Sequence, residues 1–269
     1  MKTVFITGAS KGIGKATALL FQNHGWNVAA TMRRPSDDKD LMALKNVKCY
    51  KLDVNDSTEL SNCMQEVIKD FGSINVLVNN AGIYLTKPLE SASEEDINHL
   101  IGTNIVSALS VMKAFISYFR TRKEGTIINI SSVAGRAAFP YQTIYTASKW
   151  AIEGISESLL YELKDLNIKI KVVEPGMVRT DLYDESKDLS LDQYPSEYTK
   201  SLKKWHHYLM NSLKNGATPD ITAKTIYKAA TDGRSKLRYP SGADTKTAVL
   251  LRNLLPFPLY KKFVEMLTL

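Results

Sequence analysis

The chain has 269 residues, enough for one large α/β domain with a substantial core. Its contents of 44% hydrophobic and 23% charged residues are typical of a soluble globular protein. The net charge is +7, but the Lys and Arg residues are scattered rather than grouped in blocks. Scattered charge argues against nucleic-acid binding and favours a solvated basic surface, part of which can attract an anionic cofactor.

The N-terminal sequence and the cysteines indicate the compartment. Strand-like sequence begins at Thr3, which leaves no room for a signal peptide. No apolar run approaches the ~20 residues that a membrane-spanning helix needs. Cys49 lies in a strand-like run and Cys63 in a helix-like run, so neither suggests a structural disulfide. We therefore expect a cytoplasmic protein without a transmembrane segment.

A glycine-rich turn follows the first predicted strand, Lys2–Thr7. The glycines have the spacing Gly-x-x-x-Gly-x-Gly, and a helical pattern begins directly after them. Glycine lets the backbone approach a ligand closely, and the N–H groups at a helix N-terminus face an anion. This arrangement predicts a phosphate-binding loop whose contacts are Gly8, Ser10, Lys11, Gly12, Ile13 and Gly14.

The second predicted strand, Asn27–Thr31, ends in Met32-Arg33-Arg34 without an acidic residue. An acidic residue there would bind the adenosine ribose of NAD and repel a 2′-phosphate. Arg33, together with Lys11, would instead attract that phosphate. The tip of the strand therefore favours NADP(H) over NAD(H), although two surface arginines would give the same pattern.

Two further strands are predicted before the middle of the chain. Val47–Asp53 alternates like a strand, and Asp53 with Val54 either holds the adenine edge or begins the helix Ser57–Phe71 as its N-cap. Ile74–Val78 is the fourth strand and runs into Asn79-Asn80-Ala81-Gly82.

The segment Glu94–Arg122 has a long helical pattern with Asn104 in its middle. A mid-helix Asn is usually a satisfied core polar group or a surface residue. Because its side chain competes for backbone hydrogen bonds, Asn104 could also shape a bend and hold water.

An acid/base pair follows the fifth predicted strand, Gly125–Ser131. Tyr145–Leu166 has a helical pattern, on which Tyr145 and Lys149 share a face. A free tyrosine has a pKa of about 10, and a nearby ammonium would lower it towards working pH. Ser132, thirteen residues before Tyr145, lies where such sheets bind ligands. The apolar face of the helix is predicted to contain Ala147, Trp150, Ala151, Ile155, Leu159 and Leu163.

The last third of the chain is less regular. Ile168–Glu174 is the sixth predicted strand, and Lys236–Tyr239 is the last. Residues 182–216 are rich in aromatic side chains and predict either a substrate lid or a surface helix pair. His206-His207 has no companion ligands, so we expect no metal site. The extension 245–269 would close the pocket, join a subunit interface, touch a membrane surface or simply pack on the domain.

Several of these motifs resemble the single-domain short-chain dehydrogenase/reductase family. The glycine-rich loop, the Asn-Asn-Ala-Gly run and the Tyr-x-x-x-Lys pair occur in the family's order over residues 1 to about 181. The resemblance implies a single-domain, Rossmann-like, doubly wound parallel sheet of about seven strands with helices on both faces. It also implies cofactor contacts from Asn80, Ala81, Gly82, Tyr145, Lys149, Pro175, Gly176, Val178 and Thr180.

The same resemblance implies a catalytic tetrad and its roles. Tyr145 would be the general acid or base, Ser132 would bind the carbonyl oxygen, and Lys149 would lower the pKa of Tyr145 and hold the nicotinamide ribose. Asn104 would position a water that relays protons to Lys149. The expected enzyme is an NADP(H)-dependent oxidoreductase that acts as a homodimer or homotetramer. The alternatives are an NAD(H)-dependent alcohol dehydrogenase and a non-catalytic nucleotide sensor.

The expected substrate is an apolar, fairly bulky carbonyl or secondary alcohol. Residues 136–141, between the serine and the tyrosine, lie where the family lines its pocket, and the aromatic segment beyond Leu182 adds apolar surface. Family members with a similar strand tip and C-terminal extension act on steroid-, retinoid- or lipid-like compounds or on xenobiotic ketones. The Arg residues of the strand tip and of this segment could alternatively receive an acidic substrate.

Overall fold

A computed structural model describes residues 1–186 and 190–269; residues 187–189 of the predicted lid lie outside the described residues. Seven parallel strands form one sheet in the order β3-β2-β1-β4-β5-β6-β7. This confirms the predicted doubly wound sheet. The strands are β1 Thr3–Thr7, β2 Asn27–Met32, β3 Val47–Lys51, β4 Val76–Asn79, β5 Gly125–Ile130, β6 Ile168–Pro175 and β7 Arg238–Ser241.

Helices cover both faces of the sheet and connect its strands. The described helices are α1 Gly12–Asn23, α2 Lys39–Met42, α3 Ser57–Phe71, α4 Glu94–Ile101, α5 Ser107–Arg122, α6 Thr143–Glu162, α7 Thr199–Lys214, α8 Pro219–Thr231, α9 Ala243–Leu254 and α10 Phe257–Thr268.

The side chains of each strand point alternately to the two faces of the sheet, so the core has two layers. Phe5 on β1 packs with buried residues of α3, α5 and α6, whereas its neighbours Val4 and Ile6 pack with α1 and α8. Successive side chains of a strand point to opposite faces, so a sheet covered on both sides needs apolar residues at nearly every position. The connections reverse between β1 and β4, which places a crevice at the carboxyl ends of these two strands.

The predicted helix Glu94–Arg122 is interrupted in its middle. Gly102–Val106 form a π-helical turn between α4 and α5. By length and composition alone, this segment would be able to cross a membrane. In the fold, however, α5 buries Val111, Phe115 and Phe119 against the sheet, as a core helix does.

Helix α6 buries a face that overlaps only partly with the predicted one, since Leu163, which follows the helix, is in the core. Trp150 is 48% exposed, and Ile155 and Leu159 are only partly buried. The most buried residues of the helix are Ile144, Tyr145, Ser148, Lys149, Ile152, Glu153 and Ser156. The helix therefore turns its polar side chains towards the carboxyl end of the sheet.

Candidate active site

A cleft of about 400 Å³ lies at the carboxyl ends of the central strands. Every predicted site residue except Gly14 and Asn104 lines it. Those two lie directly behind its wall, as their contacts below show. The cleft therefore brings the predicted phosphate loop and the predicted acid/base residues into one continuous space. The predicted site residues along it are Gly8, Ser10, Lys11, Gly12, Ile13, Arg33, Asp53, Val54, Asn80, Ala81, Gly82, Ser132, Tyr145, Lys149, Pro175, Gly176, Val178 and Thr180.

The glycine loop is shaped by close backbone contacts. Gly8 and Gly12 have φ angles of +67° and +57°, a region that favours glycine. A Cβ on Gly14 would lie 2.2 Å from the Gly8 carbonyl oxygen. Only a glycine at this position therefore lets the first turn of α1 pack so closely against the loop. Asn80 donates hydrogen bonds from Nδ2 to the carbonyls of Thr7 and Gly8, at 2.9 and 3.0 Å. The loop thus presents the N-terminus of α1 in the geometry that a dinucleotide phosphate requires.

Two basic side chains line the cleft. Arg33 is exposed at the end of β2 and lines the cleft. Lys11 Nζ lies 3.5 Å from Asp181 Oδ2 across the opening. No ion pair of Arg33 is formed within residues 1–186 and 190–269, so its guanidinium is available to an anion.

Asp53 does not begin α3, one of its two predicted roles. The N-cap is Asp56, whose carboxylate accepts hydrogen bonds from the main chain of Thr58 and Glu59. Asp53 lines the cleft and accepts a 2.9 Å hydrogen bond from the main-chain N–H of Asn55.

Ser132, Tyr145 and Lys149 converge at the inner end of the cleft. Ser132 and Tyr145 both line this end, and the Ser132 hydroxyl lies near enough to the Tyr145 phenol to lower its pKa. The Ser132 hydroxyl also accepts a 3.1 Å hydrogen bond from the main-chain N–H of Ala134, which holds the serine in place. Lys149 Nζ lies 5.7 Å from the centroid of the Tyr145 ring and donates a 3.1 Å hydrogen bond to the carbonyl of Ile130. All three side chains are buried.

Burial controls the pKa values of this group. Desolvation raises the pKa of Tyr145 to about 12, and the hydrogen bond from Ser132 offsets part of that rise. Desolvation lowers the pKa of Lys149 to about 8, and the charge of Glu153 opposes the shift. The predicted lowering of the Tyr145 pKa by Lys149 is therefore not seen in this chain, where burial raises that pKa.

Asn104 lies in the π-helical turn behind the cleft. Its Oδ1 accepts a 2.8 Å hydrogen bond from the main-chain N–H of Ile83, and its Nδ2 donates to the Ile83 carbonyl at 2.9 Å. Nδ2 also lies 3.1 Å from Ser148 Oγ. Asn104 is therefore a core polar group with its hydrogen bonds satisfied, which is one of the roles predicted for it.

Comparison with known proteins decides the family. The short chain dehydrogenase profile matches residues 2–189. The chain belongs to the short-chain dehydrogenase family. An uncharacterized oxidoreductase of Schizosaccharomyces pombe is 39% identical over 211 residues, which cover 78% of this chain and 88% of the relative. A 3-ketodihydrosphingosine reductase of Bacteroides thetaiotaomicron is 34% identical over 225 residues, which cover 84% and 82%. The structure of ElxO with NADP bound superposes with a TM-score of 0.73 and 31% identity, covering 89% of this chain and 97% of that one.

This short-chain dehydrogenase is therefore an oxidoreductase of CH–OH groups that uses a nicotinamide cofactor. The glycine loop fits such a cofactor, because the absence of a side chain at Gly14 lets the N-terminus of α1 lie against the loop, where its N–H groups can face a phosphate. Within residues 1–186 and 190–269, no group of three His, Cys, Asp or Glu side chains is placed to share a metal ion.

The substrate end of the dehydrogenase differs from the predicted one. None of residues 136–141 lines the cleft. Arg136 donates a 3.0 Å hydrogen bond to the buried carboxylate of Glu174, so it is a structural partner rather than a receptor for an acidic substrate. Phe139 packs against Trp205 of α7, 6.4 Å between ring centroids.

Other residues form this wall: Leu182 and Tyr183 belong to the predicted aromatic segment, whereas the sequence analysis did not single out the rest. Ile83, His99, Thr103, Leu182 and Tyr183 line the cleft beside Tyr145. They have no motif or periodicity of their own. The available signal was their position directly after a motif: Ile83 follows Gly82, and Leu182 follows Thr180-Asp181.

A buried tyrosine stands behind Tyr145. The ring of Tyr84 packs edge-to-face against Tyr145 at 4.9 Å and against Tyr183 at 4.7 Å. Its hydroxyl accepts a 2.8 Å hydrogen bond from Gln142 Nε2. Tyr84 therefore supports the Tyr145 ring from the side of the predicted lid.

Proposed function

We propose that this dehydrogenase interconverts a carbonyl and a secondary alcohol with NADP(H), and that Tyr145 is its general acid and base. The observation that carries the proposal is that Ser132, Tyr145 and Lys149 line one end of a cleft that the glycine loop also lines. A proton donor and a second hydrogen-bond donor that share one point are what reduction of a carbonyl oxygen requires.

Each residue then has a distinct task. The bound cofactor supplies or accepts a hydride at the substrate carbon. The Ser132 hydroxyl donates a hydrogen bond to the substrate oxygen and fixes its position. Tyr145 gives its phenolic proton to that oxygen during reduction and takes it back during oxidation. Lys149, held by the Ile130 carbonyl, places a positive charge below the phenol and favours the phenolate that forms. Asn104 positions the walls around them and, as the family resemblance implies, a water beside Lys149.

The basic adenosine end supports NADP(H). Arg33 lies at the tip of β2 with a guanidinium that pairs with no described carboxylate. A guanidinium binds a phosphate through two parallel hydrogen bonds, and a ribose hydroxyl offers no comparable partner. ElxO, which is similar to this chain, has a structure with NADP bound. Lys11 would contribute a second charge from the other side of the cleft.

The aromatic wall supports an apolar, fairly bulky substrate. Tyr183 and Leu182 line the cleft, and Tyr183 belongs to a buried cluster with Tyr84 and Trp205. Such a wall offers apolar contacts and few polar groups. A relative named as a 3-ketodihydrosphingosine reductase is consistent with a lipid-like ketone. Steroid-, retinoid-like and xenobiotic ketones share the same chemistry.

We further propose how the chain is organised. One domain spans residues 1–269, with residues 182–216 as its lid and residues 245–269 as an extension. Exposed Val106, Leu109 and Trp150 on the helical layer support a homodimer or homotetramer. Both cysteines are free, which fits a cytoplasmic protein.

Cofactor titration followed by a substrate panel tests the proposal. Nicotinamide fluorescence should show tighter binding of NADPH than of NADH. A panel that pairs each long-chain or cyclic ketone with a small polar ketone should show NADPH oxidation with the apolar members. Tight NADPH binding without turnover across the panel would instead identify a nucleotide sensor.

A further inference from the structure

The two C-terminal helices expose a set of large apolar side chains. Each of these side chains is more than half exposed. Together with Lys246 and Lys262 they form what we call the C-terminal face. Its apolar members are Leu250, Leu254, Phe257, Leu259 and Met266.

Helical spacing arranges these residues in two outward stripes. Lys246, Leu250 and Leu254 follow one another at intervals of four residues along α9. Leu259, Lys262 and Met266 have the spacing i, i+3, i+7 along α10. Phe257 lies at the turn between the helices, flanked by prolines on both sides. Each helix has 12 residues, too few to cross a bilayer, so these stripes suit a helix pair that lies on a surface.

The charges of the two C-terminal helices indicate what kind of partner the C-terminal face binds. Residues 243–269 contain four bases (Lys246, Arg252, Lys261 and Lys262) and two acids (Asp244 and Glu265). Both acids have partners within the fold. Asp244 accepts a 2.9 Å hydrogen bond from the main-chain N–H of Met177, and Glu265 lies 3.4 Å from Lys261 Nζ. A second copy of this face would meet it with like charge, whereas an anionic bilayer complements both its bases and its apolar side chains.

We propose that the C-terminal face binds the surface of an anionic lipid bilayer. Basic side chains would pair with lipid headgroups, while Phe257 and the leucines enter the boundary between headgroups and acyl chains. This mode of binding is peripheral and reversible, because it uses a small apolar area and a few charges.

The C-terminal face is in contact with loops that adjoin the proposed active site. Asp244 fills the space beside Gly176, where an added Cβ would clash with its carboxylate. Helix α9 contacts the 3₁₀ turn Val133–Gly135 that follows Ser132, and α10 packs against α7. An apolar substrate dissolved in the bilayer would then reach the cleft without crossing much water. This consequence rests on the proposed function, whereas the binding does not.

Sedimentation with vesicles tests the binding without any substrate. The full chain is mixed with vesicles of phosphatidylcholine alone and with vesicles that contain about one fifth phosphatidylserine. We expect binding to the anionic vesicles that weakens with salt. Phe257→Ser should reduce the partition coefficient by about tenfold, from the lost apolar burial. The double variant Lys261→Glu, Lys262→Glu should reduce it at least as much, by loss and reversal of charge.

Matched variants elsewhere on the surface are the controls. Met42→Ser removes an equally exposed apolar side chain, and Lys39→Glu with Lys45→Glu reverses two exposed charges. Neither should change vesicle binding. Leu259→Ser replaces Phe257→Ser if circular dichroism shows that the latter is unfolded. The proposal is overturned if the wild-type chain stays in solution, or if the control variants weaken binding as much as Phe257→Ser does. A fall in molar mass on Phe257→Ser, without vesicle binding by the wild type, would assign the face to a second copy.

Discussion

The side-chain amide of Asn104 is hydrogen-bonded at both ends to the main chain of one residue, Ile83. Oδ1 accepts from its N–H at 2.8 Å, and Nδ2 donates to its carbonyl at 2.9 Å. Ile83 follows Gly82 in the loop after β4 and lines the cleft, and Nδ2 also reaches Ser148 on α6. One amide therefore links the π-helical turn to the loop after β4 and to the helix of Tyr145. The π turn makes this possible by turning residue 104 into the core.

Asn104→Ala should destabilise the protein and weaken cofactor binding. The substitution leaves the N–H and carbonyl of Ile83 without partners in a place that water reaches poorly, which costs about 2–3 kcal/mol in the free energy of unfolding. Urea denaturation measures the loss, and NADPH fluorescence measures the accompanying change in Kd. Asn98→Ala, on the exposed side of α4, is the matched control and should change neither. Equal free energies of unfolding for the two variants would show that the two hydrogen bonds to Ile83 contribute little to stability.

Tyr145→Phe should abolish most of the activity and leave cofactor binding intact. The ring and its packing against Tyr84 remain, but no group can give a proton to the substrate oxygen. General acid catalysis contributes about 10²–10⁴-fold, so kcat should fall within that range. Tyr161→Phe, which removes an exposed hydroxyl from the same helix, should keep wild-type kcat. Turnover by Tyr145→Phe near the wild-type rate would remove Tyr145 from the mechanism.

Arg33→Asp should reverse the cofactor preference. The carboxylate would repel the 2′-phosphate of NADPH and accept a hydrogen bond from the ribose of NADH. We expect the Kd of NADPH to rise by about 10–100-fold, because a charge-assisted pair is lost and a repulsion is added. The Kd of NADH should change little. Arg34→Asp is the control, since Arg34 is exposed but does not line the cleft. Equal weakening of both cofactors by Arg33→Asp would contradict the proposed phosphate contact.

Trp150→Lys should lower the molar mass of the protein in solution. Trp150 is exposed on α6, and Val106 and Leu109 are exposed on the adjoining π turn and α5. A charge in the centre of an apolar interface is costly, so the proposed dimer or tetramer should dissociate. Light scattering compares the variant with Met42→Lys, a substitution of an exposed apolar residue on α2. A wild-type monomer would refute the proposed assembly directly.

Much of the fold could be predicted from the periodicity of the sequence and from motifs whose conformation depends only on neighbouring residues. The seven strands alternate with helices, and each predicted strand overlaps an observed one. Helix α3 has the predicted bounds, since polar residues and Gly72 delimit its apolar pattern. The phosphate loop is also local, because Gly8 and Gly12 adopt conformations that other residues avoid.

The features that the sequence does not reveal depend on distant residues. A π turn shifts the helical register by one residue, so a search at 3.6 residues per turn describes Glu94–Arg122 as one helix. Trp150 is apolar but exposed, because the polar site residues of α6 occupy its buried face. The role of Arg136 depends on Glu174, which is 38 residues away. The pKa of Tyr145 depends on how deeply the fold buries its side chain, and the depth of burial cannot be read from a sequence motif.

The low pKa of Lys149 predicts a pH-dependent cost to stability. Burial lowers this pKa from 10.5 to about 8. Between these two values the unfolded chain binds more protons than the folded one, so the contribution of Lys149 to the free energy of unfolding rises with pH. As the pH falls through about 8, the buried amine becomes charged, and the stability gained at high pH disappears.

Lys149→Met removes this dependence and allows a direct measurement. Urea denaturation at about pH 7 and about pH 9.5 should show that the stability of the wild type relative to the variant rises by on the order of 2 kcal/mol. Comparison with the variant cancels the other titrating groups. Lys164→Met, at an exposed position just after α6, should show a nearly constant difference from the wild type. If the Lys149 difference is constant as well, the amine is solvated in the folded protein, and the buried ammonium below the Tyr145 phenol is refuted.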